Sequence, residues 1–543
     1  MTLRVRRVWR AVGICIFTVV ISSCAGQPTD RTTHSLVVRP QRESMQYDIR
    51  DLLTAPGDAD TELAEFYAAR ADRPVWSGSA VARRRAATAM HVLARAYQQG
   101  LPQAAYDFTD RLGQSELRQA ASADLELTQL LLAYVHDVRQ GRLSPPAVYR
   151  DLKLPRRHFQ PALALIKALA RSDLKGFLRR LPPRAAQYQA LVRALAHYRK
   201  IAAAGGWITL GEHPSHAQLA ARLALEDPTL ARLSHPSGSA LAEALRRFQA
   251  RHGLKPDAVL GVQTKQALNV PVQERISEIK ANLERWRWLP RHFPDRYILV
   301  NVPSQRAALI EHGRTKLLSK VVIGRNQKGD TTPILLTDSD AIVANPVWTI
   351  PNDIATSGIL PYLRRDPNYL KSRHMVLAGA PPHTRVDWAK IRAMHLPYQI
   401  IQLPGPGNAL GNIMFDMPNH FDVYLHGTSD PVLFDLANRA RSHGCVRVQK
   451  ISELADLALE GSVSDPAQAL RLALATGKTQ RLLLAHPLPI YLLYWTAQVE
   501  ADGMVAFWPD RYDRDPALLA LLEPPSRLVI GPKAPPTWFL GGP

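Results

Sequence analysis

The feature that most constrains the fold is a change in hydrophobic periodicity near residue 295. Before it, apolar residues recur at the spacing of one helix face, as they do at Ala89, Val92, Leu93 and Ala96. After it come short β-prone runs, such as residues 297–302 and 316–323. We therefore predict an α+β, multi-domain protein, with helical domains first and a mostly-β domain after them.

By composition, the chain from residue 51 onward is predicted to contain four segments. Residues 51–235 are rich in Ala, Leu and Arg and are predicted to form an all-α scaffold domain, and a compact helical unit follows at 237–270. The strand-rich domain is expected to span 295–485. Within it, a Pro- and aromatic-rich stretch at 351–411 breaks the strand rhythm and is predicted to be an inserted lid. Residues 486–543 form a C-terminal extension.

One helix of the scaffold domain has visible start and stop signals. The run 124–138 opens on Asp124, which is interpreted as an N-cap, and Gly141 lies just past its end. No set of side chains in this domain suggests catalysis, so its role is predicted to be structural.

The N-terminus carries an export signal. Residues 1–10 hold four Arg and no acid, and residues 11–21 are apolar but too short to span a bilayer. The small residues before Cys24 resemble a bacterial lipobox, which predicts removal of residues 1–23, lipidation of Cys24 and a flexible tether over 24–50. The alternative is an ordinary signal peptide cut after Ala25.

Charge and composition restrict the partners. The chain has 543 residues, 46% of them apolar, with 68 Lys and Arg against 47 Asp and Glu and a net charge of +21. This apolar fraction excludes a disordered chain. The positive charge favours an anionic partner, and the export signal makes the cell envelope a better candidate than nucleic acid. A solvated basic surface with no specific partner is the alternative.

Cysteine usage directs attention to one residue. The three cysteines, Cys15, Cys24 and Cys445, are too few and too scattered for a disulfide framework. If the signal peptide is removed and Cys24 is lipidated, Cys445 is the remaining thiol, and a single free thiol in an exported protein suggests reactivity. An inert buried cysteine is the alternative.

The segment 424–448 supplies what a cysteine nucleophile needs. His426 and His443 are candidate bases, Gly444 frees the backbone next to Cys445 for oxyanion donors, and Arg447 favours the thiolate. Three alternatives stay open. His426, His443 and Cys445 could bind zinc, or Cys445 could be a structural thiol. The segment could also belong to another class of cysteine enzyme, although papain-like enzymes place the Cys before the His.

The spacing of these residues resembles a known signature. His426 is followed by fifteen residues and then by Ser-His-Gly-Cys-Val-Arg ending at Arg447, which is similar to the catalytic motif of the L,D-transpeptidase family. The unit 237–270 resembles the family's peptidoglycan-binding module, with a departure at Ala258, where Gly is usual. The segments that continue the likeness to the large multi-domain members are 300–303, 322–324, 345–351 and 404–411.

The resemblance implies residue roles. Cys445 is implied to be the nucleophile, and His426 the proton acceptor and donor, with its ring held by a backbone carbonyl just after it. The N–H groups of Gly444 and Cys445 are implied to form the oxyanion hole, which His443 shapes. Tyr424, Trp348 and Arg447 are chosen as substrate contacts. No cofactor and no metal are expected.

The resemblance also implies a function. The enzyme is expected to form 3→3 cross-links between peptidoglycan tetrapeptide stems with release of D-Ala, and to be inhibited by carbapenem β-lactams. An L,D-carboxypeptidase and a non-catalytic peptidoglycan-binding scaffold are the alternatives. The expected location is the periplasm of a Gram-negative bacterium, lipid-anchored to a membrane, with the outer membrane favoured.

Overall fold

The computed structural model describes most of the chain. The described residues are 41–54, 61–155, 158–366, 368–381, 384–391, 396 and 398–523. The predicted signal peptide, Cys24, most of the tether and the end of the C-terminal extension lie outside them. No helix within these ranges is long and apolar enough to cross a membrane.

The N-terminal half of the chain, up to residue 287, is mainly helical. They are α1 (Gln41–Thr54), α2 (Thr61–Ala68), α3 (Ala80–Leu93), α4 (Leu117–Gln140), α5 (Pro145–Val148), α6 (Pro161–Ala170), α7 (Leu174–Arg180), α8 (Ala186–Ala203), α9 (His216–Ala224), α10 (Pro228–Ala231), α11 (Gly238–Arg251), α12 (Val262–Asn269) and α13 (Val272–Arg287). One short strand, β1 (Leu152–Lys153), lies between α5 and α6.

The second half is built mainly of strands. They are β2 (Arg296–Asn301), β3 (Arg306–Glu311), β4 (Arg314–Gly324), β5 (Ile334–Ala344), β6 (Trp348–Thr349), β7 (Met375–Ala378), β8 (Gln399–Gln402), β9 (Ile413–Asp416), β10 (Leu425–His426), β11 (Ala440–Ser442), β12 (Val446–Val448), β13 (Gln480–Leu493), β14 (Ala497–Val499) and β15 (Val505–Phe507). The helices here are α14 (Asn352–Ile354), α15 (Leu360–Leu363), α16 (Tyr369–Ser372), α17 (Ile451–Ala458), α18 (Pro466–Ala475) and α19 (Arg514–Leu522).

The second half is organised around a closed ring of strands. The order β5-β13-β2-β3-β4-β12-β10-β9 returns to β5, because β9 also pairs with β5. Strand β13 is the link between β5, to which it is antiparallel, and β2, to which it is parallel. Alternating residues of these strands, such as Ile298, Val300, Ile490 and Leu492, are fully buried in one core.

This core extends beyond the predicted boundary at residue 485. Strand β13 runs to Leu493, and the hairpin β14–β15 and helix α19 pack on the same core through residues such as Phe507 and Leu518. The described part of the extension is therefore integral to the second half, because it supplies apolar side chains that the ring must bury.

The predicted all-α scaffold domain is split between three cores. Residues of α1 to α4, α6 and α7 share one core, helix α8 belongs to the core of the strand ring, and α9 and α10 join the core of the small helical module. Strand β1 also departs from the all-α prediction, because it pairs in parallel with β5 of the ring.

The tether ends earlier than predicted. Residues 41–50 lie in helix α1, where Met45 and Ile49 are buried in the scaffold core. Two apolar residues four apart lie on one helix face, which is sufficient to dock an otherwise polar segment.

The small helical module keeps its expected loop despite the unusual residue in it. Ala258 has φ +61°, the left-handed conformation that explains why Gly is usual at this position. Gln249 holds the loop, because its side chain accepts from the Ala258 N–H and donates to the Val259 carbonyl. The strain at Ala258 is about 1 kcal/mol and is offset by these bonds.

The predicted lid has a core of its own. Strands β6, β8 and β7 form a three-stranded sheet in that order, packed on α14, a π-helical turn and α15. Ile350, Ile359 and Ile400 are buried there. The described part of the insertion is thus a small folded layer beside the ring.

Replacing Asp124 by alanine should destabilise the scaffold core by about 3 kcal/mol. Asp124 is fully buried inside α4, and its carboxylate accepts from the backbone N–H groups of Val75 and Trp76 and from the Tyr67 hydroxyl. Alanine leaves the two N–H groups buried and unpaired, whereas the Tyr67 hydroxyl keeps the Asp124 backbone carbonyl and Thr128 as partners. Denaturant unfolding is the measurement, and Asp107→Ala at an exposed site should change stability by less than about 0.5 kcal/mol. Equal losses in the two variants would contradict the assignment.

Candidate active site

The site lies where two parallel strands meet. Strands β10 and β12 pair with Leu425 opposite Val446 and His426 opposite Arg447, and the Val446 N–H donates to the Tyr424 carbonyl at 2.9 Å. Side chains two apart on a strand share a face, and paired residues share it across the ladder. This register places Tyr424, His426, Cys445 and Arg447 on the same side of the sheet.

Cys445 is a partly exposed thiol at the start of β12. Its Sγ lies 3.6 Å from the Asp422 carbonyl oxygen. Desolvation raises the pKa of the thiol, against the opposing effects of the Tyr424 backbone and the Arg447 charge. The resting residue is therefore a thiol, which needs a base to become the reactive thiolate.

His426 is positioned to be that base. Its side chain is buried, and desolvation together with the Arg447 charge lowers the pKa of His426 to about 4. The backbone groups of Gly427 and Leu410 act in the opposite direction and raise the pKa of His426. Nδ1 of the ring makes no hydrogen bond of normal geometry to a described residue. At neutral pH the imidazole is uncharged and can accept a proton.

The loop before Cys445 is held by a serine hydroxyl. Ser442 Oγ accepts from the Gly444 N–H at 3.2 Å and donates to the Cys445 carbonyl at 2.6 Å. Gly444 has φ +114°, a conformation that favours glycine.

This loop changes the expected oxyanion hole. The N–H of Gly444 is not a free donor, because Ser442 already occupies it. The Cys445 N–H donates to no acceptor in the described part of the chain. Of the two N–H groups predicted to form the oxyanion hole, only that of Cys445 is therefore free, among the described contacts, to bind an oxyanion.

The remaining predicted residues occupy the margin of the site. The His443 side chain is exposed, and its pKa is lowered by partial desolvation and by the Arg325 charge, against the opposing charges of Asp330 and of Asp353 in α14. Trp348 lies on β6 and packs against the core of the same layer.

Two residues near the site were not predicted. Thr332 bonds to the Gly444 carbonyl beside Cys445, and Tyr512 bonds to the Thr332 N–H, as described below. Both lie outside the signature in sequence. No local pattern marks either of them. Among the described residues, no group of three or more His, Cys, Asp and Glu side chains lies close enough to hold a metal ion.

Comparisons with family models match three segments. Residues 295–466 match the L,D-transpeptidase catalytic domain, residues 61–195 match the scaffold domain, and residues 229–268 match the "Putative peptidoglycan binding domain". The chain thus carries an L,D-transpeptidase catalytic domain together with the scaffold and peptidoglycan-binding domains, as the sequence predicts.

Individual relatives are similar over part of their length. A Haemophilus influenzae protein named "Putative L,D-transpeptidase" is 31% identical over 242 residues, which are 44% of this chain and 48% of that protein. The chain thus spans about half the length of this curated relative. The crystal structure of an L,D-transpeptidase from Xylanimonas cellulosilytica matches 56% of this chain and 93% of that chain at 15% identity, with a TM-score of 0.16. That value is too low for a comparison of the two folds.

Proposed function

We propose that this protein is a peptidoglycan L,D-transpeptidase that forms 3→3 cross-links through a thioester on Cys445. The observation that carries the proposal is the placement of a partly exposed thiol on one sheet face with a buried, uncharged histidine. The L,D-transpeptidase domain at residues 295–466 supports the reaction class. The peptidoglycan-binding domain supports the substrate class.

In the first step the thiol attacks the donor stem. Cys445 Sγ adds to the carbonyl between the third residue and the terminal D-Ala while His426 accepts the thiol proton. The Cys445 N–H stabilises the oxyanion of the tetrahedral intermediate. Collapse breaks the C–N bond, His426 returns the proton to the leaving amine, and D-Ala departs from a thioester.

In the second step an amine resolves the thioester. The side-chain amine of the third residue of an acceptor stem attacks the thioester carbonyl and gives up a proton to His426. Collapse then breaks the C–S bond, and His426 returns that proton to the departing thiolate. Water competes at about 55 M, so the amine must be held where its effective molarity reaches about 10⁵ M or more. We assign the guiding of this amine to the inserted layer at residues 351–411, which is supported by the effect of the Asp353 charge, in its helix α14, on His443.

Purified protein and tetrapeptide muropeptides test the proposal. Mass spectrometry should detect 3→3-linked dimers and free D-Ala in equal amounts, and neither with Cys445→Ala. Tripeptide monomers with D-Ala but no dimers would indicate an L,D-carboxypeptidase instead. A folded protein that sediments with peptidoglycan sacculi but releases no D-Ala would indicate a binding scaffold.

Replacing Cys24 by alanine should release the protein from the membrane. The proposal places the mature chain in the periplasm of a Gram-negative cell, anchored by lipid on Cys24, and the basic N-terminus followed by an apolar run supports it. Fractionation should move the variant from the detergent-extracted outer-membrane fraction to the soluble periplasmic fraction. Cys15→Ala is the matched control and should leave the distribution unchanged. A Cys24→Ala protein that still requires detergent would refute the anchor.

A further inference from the structure

A buried threonine bonds to the backbone beside the nucleophile. Thr332 is fully buried, and its Oγ1 lies 2.7 Å from the Gly444 carbonyl oxygen and 2.9 Å from the Gly324 N. Because a carbonyl oxygen can only accept, the hydroxyl hydrogen points at Gly444, and the oxygen accepts from the Gly324 N–H. The direction of this short chain of hydrogen bonds is therefore fixed.

This bond determines where the next N–H points. The Gly444 carbonyl and the Cys445 N–H belong to one planar trans peptide, in which the two groups point in opposite directions. Gly444, at φ +114°, has no Cβ to restrict rotation of that peptide. A donor on the carbonyl side consequently holds the Cys445 N–H toward the opposite side.

Tyr512 secures the threonine from the C-terminal segment. Its hydroxyl donates to the Gly324 carbonyl at 2.7 Å and accepts from the Thr332 N–H at 3.2 Å. Gly324 fits this close approach because a Cβ there would lie 1.9 Å from the Asp330 carbonyl oxygen. We call Gly324, Thr332 and Tyr512 the brace.

We infer that Thr332 is a positioning residue that aims the Cys445 N–H at the developing oxyanion, and that Tyr512 holds Thr332 in place. The inference rests on the proposed function, because it assigns Cys445 as the nucleophile of an acyl transfer. It does not depend on which amine or water molecule accepts the acyl group.

Two reactions of one thiol separate this role from a structural one. Acylation by a carbapenem passes through an oxyanion, whereas alkylation by iodoacetamide is a displacement at carbon that forms none. Both are followed on full-length protein by mass spectrometry of the peptide that carries Cys445. Thr332→Val removes the hydroxyl at nearly constant volume, Thr332→Ser restores it, and Thr337→Val makes the same change on β5, where Oγ1 bonds to the Pro418 carbonyl.

Thr332→Val should lower the acylation rate constant about 30-fold, which is less than the 10²–10³-fold effect of deleting an oxyanion donor. Its alkylation rate should stay within about twofold of the wild type, since displacement at carbon needs no oxyanion donor. Thr332→Ser should recover most of the acylation rate, and Thr337→Val should match the wild type. Tyr512→Phe should show the same selective loss at about fivefold, because the threonine remains but is less firmly held. This last variant tests the inference if Thr332→Val does not fold.

Several outcomes would overturn the inference. These are an unchanged acylation rate in Thr332→Val, a parallel fall of acylation and alkylation in both brace variants, or a Thr332→Ser variant no better than valine. Failure of the proposed function gives a different result. A wild type that is acylated but releases no D-Ala from tetrapeptides refutes the transpeptidase and leaves the brace testable, whereas a wild type without acylation refutes both.

Discussion

Replacing Cys445 by alanine should lower D-Ala release from tetrapeptide stems by about 10⁴-fold or more, to the background rate. The loss is this large because the nucleophile and its base act as a unit, so that removing one removes the covalent pathway. The same variant should form no adduct with a carbapenem, whereas the wild type should gain the mass of one drug molecule. D-Ala release and intact-protein mass are the two measurements.

The control for this variant is Cys445→Ser. Serine keeps a nucleophilic atom, but an alcohol ionises far less readily than a thiol, so it should also lose most of the activity. Both variants should unfold at the wild-type denaturant concentration, because the Cys445 side chain is partly exposed and its described hydrogen-bond contacts are with the main chain of Asp422 and Tyr424. A carbapenem adduct that persists in Cys445→Ala would show that another residue is the nucleophile.

Replacing His426 by glutamine should lower the acylation rate about 10²–10⁴-fold at neutral pH and change the shape of its pH profile. In the wild type the pKa of His426 is lowered to about 4, so the base is lost as the pH falls through that value and is present above it. The rate should therefore be nearly flat from pH 5 to 8. In the variant the thiol must ionise unaided, and because its pKa is raised, the rate should climb about tenfold per pH unit across this range.

His443→Gln is the matched control for the histidine. Its side chain is exposed, in the loop two residues before Cys445. It should retain the flat profile with a loss of less than about tenfold, as expected for a residue that takes no part in proton transfer. If the pH profile were flat in His426→Gln and steep in His443→Gln, the base would be His443 and not His426.

The nucleophile and its base could be predicted from the sequence because both lie in one short signature. His426 and Cys445 end up on neighbouring strands that the intervening loop connects, so their proximity follows from local chain order. Thr332 and Tyr512 could not be predicted in this way. Thr332 bonds to Gly444 across 112 residues of chain, and Tyr512 bonds to Gly324 across 188. A threonine after a turn or a tyrosine in an extension has no distinguishing periodicity.

Errors in the fold prediction have similarly local causes. Asp124 was predicted to be an N-cap because it opens the apolar run 124–138, yet helix α4 begins at Leu117 and encloses it. A buried carboxylate that accepts backbone N–H groups from another segment looks identical in sequence to a capping one. Gly141 does end the helix as predicted, because its φ of +102° is accessible to glycine.

The position of strand β13 has a consequence for how the chain folds. Ile490 pairs with Ile298, and Leu492 with Leu335, so one late segment joins two strands that are synthesised long before it. Until residues 480–493 arrive, β5 and β2 each present an unpaired edge, and such edges are templates for aggregation. Because β13 lies far along the chain from β2 and β5, pairing it with them closes long chain loops, which is entropically costly and slow. A chain interrupted before residue 480 would consequently be a substrate for chaperones and proteases rather than an enzyme that has merely lost its end.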